Sequence, residues 1–87
     1  MKMINWHVNA WDDYLYWQKK DKRILKRINV LIKDISREPF TGIGKPEPLK
    51  HNWRGFWSRR INDEHRLVYT VQDGDVIIAQ CRYHYDK

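Results

Sequence analysis

The sequence predicts an α+β domain in which two N-terminal helices pack on a mainly antiparallel sheet, in the order β-α-α-β-β-β. Three observations predict it. An apolar stripe of helical period runs through residues 22–37, three β-type runs joined by short polar turns fill residues 56–82, and a stretch punctuated by glycine and proline separates the two regions. A chain of 87 residues is one domain, 1–87, with a thin stability margin. Five Trp, five Tyr and two Phe supply large apolar areas for so small a core.

The first element, Met1 to His7, reads as a short strand through Met3, Ile4 and Trp6. Asn9 is the expected N-cap of a helix from about Ala10 to Lys19. Asp12 and Asp13 favour its first turn, and Trp11, Tyr14, Leu15 and Gln18 form its core-facing stripe. Asp21 caps a second helix, Lys22 to Arg37, whose apolar stripe is Ile24, Leu25, Ile28, Leu31, Ile32 and Ile35. Pro39 ends it, because the residue before a proline avoids helical geometry. Phe40 to Gly55 is expected to be loop, stiffened by Pro46 and Pro48 on either side of Glu47. A β-meander follows, Phe56 to Asn62, Arg66 to Gln72 and Val76 to Arg82, with turns at 63–65 and 73–75.

Strand parity carries information. Ile61, Leu67, Tyr69 and Val71 read as the inward set, so the hairpin between Ile61 and Leu67 needs an odd loop, of about three residues. Arg60, Arg66, Val68 and Arg82 then share the face that the helices leave free.

The formal net charge is +6, from 17 Lys and Arg against 11 Asp and Glu, and a basic domain of this size meets something acidic. Cys81 is the single cysteine, so no intramolecular disulfide is possible; it sits in an apolar run and reads as a small buried hydrophobe. No stretch resembles a signal peptide or reaches the length of a membrane span, which fits the cytoplasm and a chain with no membrane partner. No Cys or His pair has metal-ligand spacing, and no metal or cofactor is expected. His7, His51 and His65 read as structural or surface residues, and Lys19, Lys20, Lys22 and Arg23 as a solvated corner between the helices.

Three groups converge on the free face or its edge. The loop offers Lys45, Glu47 and Lys50, the meander offers Arg60 and Arg66, and the C-terminal segment offers Arg82, His84 and Tyr85. This inventory suits metal-independent RNA cleavage. A base takes the proton of a 2′-hydroxyl, arginines stabilise charge on the phosphoryl oxygens, and an acid protonates the leaving 5′-oxygen. Glu47 is the only acidic residue between Glu38 and Asp63 and is the natural base; His84 is the natural acid. Tyr85 has the ring to stack on a base. Taken singly, each of these residues also reads as an ordinary surface or strand residue, and composition alone leaves a basic α+β domain with a capacity for RNA.

The chain resembles the YoeB-type toxins of the RelE/ParE superfamily. The resemblance is carried by Trp11-Asp12-Asp13-Tyr14, Asp21-Lys22-Arg23-Ile24, Gly44-Lys45-Pro46-Glu47-Pro48-Leu49-Lys50, Gly55-Phe56-Trp57-Ser58-Arg59-Arg60-Ile61, Glu64-His65-Arg66-Leu67-Val68-Tyr69 and Cys81-Arg82-Tyr83-His84-Tyr85. It implies a microbial RNase-like, RelE-like fold and a ribosome-dependent endoribonuclease that cuts messenger RNA at the A-site codon. It assigns Glu47 as general base, Arg66 as phosphate stabiliser and His84 as general acid, with Lys50, Arg60 and Tyr85 in support. It implies a YefM-type antitoxin partner and admits a homodimer. Asp86 and Lys87 extend beyond the family's usual ending. Two other readings are a gyrase-directed toxin of the same fold and a non-catalytic RNA- or ribosome-binding module.

Overall fold

The structure, a computed structural model, describes residues 3–84. Its elements are β1 (Ile4–Trp6), α1 (Val8–Lys20), α2 (Lys22–Arg37), β2 (Glu47–Pro48), a single 3₁₀ turn (His51–Trp53), β3 (Trp57–Arg60), β4 (Arg66–Gln72) and β5 (Asp75–Gln80). The sheet order is β1-β5-β4-β3-β2. β1 runs parallel to β5 and every other pair is antiparallel. A parallel neighbour requires a crossover, and here the two helices begin it, covering one face of the sheet.

The second helix begins and ends as the sequence predicts. Asp21 accepts from the N–H groups of Arg23 and Ile24, and Ile28, Leu31 and Ile35 are fully buried. The first helix differs. It starts at Val8, and His7 rather than Asn9 caps it, its Nδ1 accepting the Asn9 N–H. The buried positions are Ala10 and Trp17, whereas Trp11 is 45% exposed and Leu15 39%. Trp11 instead stacks on Tyr14 and meets Trp6 edge-on, forming an aromatic cluster at the end of the sheet. Trp17 turns inward because its indole N–H finds the Cys81 carbonyl at 2.8 Å.

The 40–55 segment is more ordered than a loop. Glu47 and Pro48 pair with Ser58 and Trp57 as a two-residue edge strand, a place where proline is tolerated. The segment from Leu49 to Phe56 then folds over the second face of the sheet. Thr70 Oγ1 donates to the Gly55 carbonyl at 2.8 Å, and Val68, Ser58 and Thr70 are buried as a result. The face left free by the helices is therefore partly covered by the chain's own loop.

The β3–β4 hairpin has the expected parity. Arg60 stands opposite Arg66 and Arg59 opposite Leu67. The Ile61 N–H donates to the His65 carbonyl, which leaves a three-residue loop, Asn62 to Glu64, closed by the Asn62 side chain accepting from the N–H groups of Glu64 and His65.

Arg59 points to the helix side and is wholly buried. Its Nε donates to Tyr69 Oη, Nη1 to Asp34 and the Ile43 carbonyl, and Nη2 to the carbonyls of Glu38 and Thr41. All five guanidinium donors are used. The Tyr69 hydroxyl passes the chain on to the Pro39 carbonyl at 2.6 Å. The Asp34 carboxyl is held below the usual carboxylate range by the Arg59 hydrogen bond and then by the Ile43 N–H. Space around this node is closed: at Gly42, φ +126°, an added Cβ would fall 2.1 Å from Asp34 Oδ2. Arg59→Met is expected to destabilise the fold by about 3 kcal/mol, because it strands a carboxylate and several buried acceptors. Urea unfolding of the two proteins measures this; equal midpoints and slopes would show the node to be dispensable.

Candidate functional site

The sheet register builds the site. Glu47, Ser58, Val68 and Gln80 pair in succession across β2, β3, β4 and β5, which makes one row on the face away from the helices. Arg60 and Arg66 form the neighbouring pair on the same face. Glu47 therefore stands about 14 Å, three inter-strand spacings, from Gln80, with the arginine pair flanking the row between them. A β-bulge between Val68 and Tyr69 gives β5 the parity change that puts both Ile78 in the core and Gln80 on the opposite face.

Glu47 is exposed, and its flanking prolines and pairing to β3 fix its backbone. Lys45 and Lys50 are exposed on either side of β2. Lys45 adopts a left-handed backbone, φ +53°, directly after Gly44, whose carbonyl accepts the Arg60 N–H at 2.7 Å. The loop arm is thus stitched to β3 on both sides of Glu47.

Arg66 is 8% exposed. Its Nη1 donates to the carbonyls of Asn62 at 2.7 Å, His65 at 3.1 Å and Asp63 at 3.4 Å. Nε and Nη2 donate to none of the described residues. A cation anchored through Nη1 faces Arg60, and two like charges placed directly opposite one another on a sheet repel. The pair is tolerable where a counter-anion is to be held.

The segment after β5 is tied down residue by residue. The Cys81 N–H donates to Asp13 Oδ2 at 3.1 Å, and the Cys81 carbonyl accepts from Trp17. The Tyr83 N–H donates to His65 Nδ1 at 2.7 Å, and the Arg66 N–H donates to the Tyr83 carbonyl at 3.0 Å. Gln80 Nε2 reaches the carbonyls of Arg82 at 3.3 Å and His84 at 3.4 Å. His84 is exposed at the end of this strap and lines, with Gln80, Trp53 and Phe56, a cleft of about 730 Å³. The expected site residue Tyr85 lies outside the described residues.

Arg82 is a correction. It leaves the sheet face expected for it, although it still lines the cleft that His84 and Gln80 line. Its guanidinium packs over the Tyr16 ring of α1 at 3.5 Å and the Tyr83 ring at 4.5 Å. The strand ends at Gln80, so strand parity no longer governs residue 82. Four residues absent from the predicted site, Asp13, Trp17, His65 and Gln80, hold the strap. Nothing in their spacing announces this, because each acts through a contact distant in sequence. Burial holds the Cys81 thiol far above its ordinary range, so it is an inert filler, as its apolar run suggests. Among the described residues no three His, Cys, Asp or Glu side chains gather as a metal site, and no helix is long and apolar enough to cross a membrane.

Two helices on a five-stranded mixed sheet, with this basic face, form the fold of a class of small bacterial toxins. A solved YoeB/ParE toxin from Agrobacterium tumefaciens, 48% identical, superposes with a TM-score of 0.92 over 95% of this chain and 99% of that one. The chain belongs to the family of YoeB-like toxins of bacterial type II toxin–antitoxin systems, which it matches over residues 6–85. It is 68% identical to Toxin YoeB of Escherichia coli K12 over 98% of this chain and the whole of that protein. It is 53% identical to YoeB in the YoeB–YefM complex from Staphylococcus aureus (TM-score 0.88, 94% of this chain and 95% of that one), a protein also solved as a YoeB dimer with a TM-score of 0.87.

The strap's anchor on α1 titrates. Burial raises the Asp13 carboxyl above its ordinary value, outweighing the Cys81 N–H and the charge of Arg82. The folded protein then binds that proton more tightly than the unfolded chain, so ionised Asp13 costs stability at neutral pH and the cost fades as pH falls through the folded-state value. Asp13→Asn, which keeps an acceptor for Cys81, is expected to melt above the wild type at neutral pH, with the gap closing toward about pH 4. Thermal melts across that range check this; a gap independent of pH would contradict it.

Proposed function

We propose that this toxin is a ribosome-dependent endoribonuclease that cuts messenger RNA at the A-site codon and so stops translation. The observation that carries the reading is the opposed Arg60–Arg66 pair, flanked on one side by Glu47 on a backbone fixed by β2–β3 pairing and on the other by a strap that leads to His84. Glu47 takes the proton of a 2′-hydroxyl, whose oxygen attacks the adjacent phosphorus. Arg66, held in place by the turn carbonyls that Nη1 meets, and Arg60 neutralise the charge on the phosphoryl oxygens. His84 gives its proton to the departing 5′-oxygen. The upstream product ends in a 2′,3′-cyclic phosphate and the downstream product begins with a 5′-hydroxyl. Lys45 and Lys50 hold flanking phosphates, and Tyr85 stacks on a base. Arg82 acts indirectly, as the packed residue that fixes the strap between α1 and Tyr83. The chemistry needs neither metal nor cofactor.

The same reading gives the protein a cytoplasmic site of action, a YefM-type antitoxin that restrains it and a homodimeric form. The S. aureus relative's YoeB–YefM complex and YoeB dimer support the last two.

Primer extension on a defined message in a reconstituted bacterial translation reaction tests the proposal. The wild type is expected to produce a new end at the A-site codon only when ribosomes are present. Glu47→Gln and His84→Gln are each expected to lower the cleavage rate by about a hundred- to ten-thousand-fold. Blocked translation with an intact message would replace the nuclease with a ribosome-binding module. No cut and no block would bring forward the gyrase-directed reading.

A further inference from the structure

His84 is the candidate acid, yet the residue that sets its position is elsewhere. The strap residue before it, Tyr83, has both of its polar backbone groups gripped by His65, just before β4, and Arg66, its first residue. Its N–H donates to His65 Nδ1 at 2.7 Å and its carbonyl accepts the Arg66 N–H at 3.0 Å. Tyr83 has φ +64°, a left-handed conformation that a bulky residue adopts at a cost, so the grip must outweigh that cost. The turn it enforces leads straight into His84, whose carbonyl accepts from Gln80 Nε2 at 3.4 Å.

The His65 ring is built to hold this contact. It is 6% exposed, meets Trp17 of α1 edge-on at 4.7 Å between centroids, and has the Tyr83 ring at 5.8 Å. Its own N–H is fixed by Asn62 Oδ1 at 2.7 Å and its carbonyl receives the Ile61 N–H. Since Nδ1 accepts from a peptide N–H, the ring proton of the neutral imidazole sits on Nε2, which lies 3.6 Å from Glu64 Oε1. Ring packing, backbone and tautomer all serve one lone pair aimed at one amide.

We infer that His65 is a positioning residue of the RNA-cleaving site. Its Nδ1 lone pair fixes the strap at Tyr83 and thereby sets the position of the adjoining His84. The inference rests on the nuclease reading above and extends it by a residue that touches neither RNA nor the reacting atoms.

Two substitutions separate the acceptor from the bulk. His65→Asn keeps an oxygen near the Nδ1 position and gives up the ring; His65→Leu keeps apolar volume against Trp17 and gives up the acceptor. Single-turnover cleavage of messenger RNA on programmed ribosomes, with toxin in excess, gives the rate of the chemical step and the apparent affinity separately. His65→Leu is expected to cleave about a hundredfold more slowly at unchanged ribosome affinity, the penalty of a misplaced acid. His65→Asn is expected to recover most of that rate. Amide hydrogen exchange provides the structural readout, with the Tyr83 N–H protected in the wild type and His65→Asn and fast in His65→Leu. Cleavage by His65→Leu at the wild-type rate would overturn the inference. So would rates for the two variants that follow their melting temperatures rather than Tyr83 protection. A wild type that does not cleave would instead remove the nuclease reading, and this inference with it.

Discussion

The buried guanidinium of Arg59 is the constraint on which the rest of the structure depends. An unpaired charge inside so small a core would be prohibitive, and the fold tolerates this one only because every donor has an acceptor. Those acceptors come from the end of α2, from the chain between Glu38 and Ile43 and from β4. One side chain therefore ties the end of the helix to the turn after it and seats that turn on the sheet. Strand alternation then makes the next residue, Arg60, face the other way, toward the candidate site. Two adjacent arginines acquire opposite roles from a two-residue period.

The whole of the proposed site is hung on the β3–β4 hairpin that this node stabilises. The loop arm arrives through β2 with Glu47, and the strap arrives after β5 with His84. Neither arm has a core of its own. Each is held by hydrogen bonds to backbone or to buried polar side chains. The α1 face contributes from behind, through Asp13 and Trp17 at Cys81 and through Tyr16 under Arg82. The helices thus serve the site although they cover the opposite face of the sheet.

Much of this was legible in the chain. The second helix, its cap at Asp21 and its stripe follow from period and capping chemistry alone, and β4 falls between the limits its alternation predicts. The odd hairpin loop, and with it the shared face of Arg60 and Arg66, follows from parity. The first helix departs from its expected core face because apolar Trp11 and Leu15 lie exposed, while the inward positions include small Ala10 and the half-buried polar Asp13. Trp11 satisfies itself by stacking with Trp6 and Tyr14 at an edge. The short β2 strand was hidden by its prolines, which signal loop unless the edge position is known. Arg59, His65 and Gln80 carry no local signal, since their roles exist only once partners far along the chain are brought to them. Residue types and strand parity therefore nominate the acid, the base and the arginines, whereas the supports that align them are set by tertiary contacts.

The claim at the centre of this account is that a carboxylate and an imidazole, delivered by two separately anchored arms, drive attack by the RNA's own 2′-hydroxyl. The ends of the cut message report that directly. End-group analysis of the fragments released on the ribosome is predicted to find a 2′,3′-cyclic phosphate on the upstream piece and a 5′-hydroxyl on the downstream piece. A free 3′-hydroxyl paired with a 5′-phosphate would mean that water, not the 2′-oxygen, attacks the phosphorus, and would contradict the roles given to Glu47 and His84.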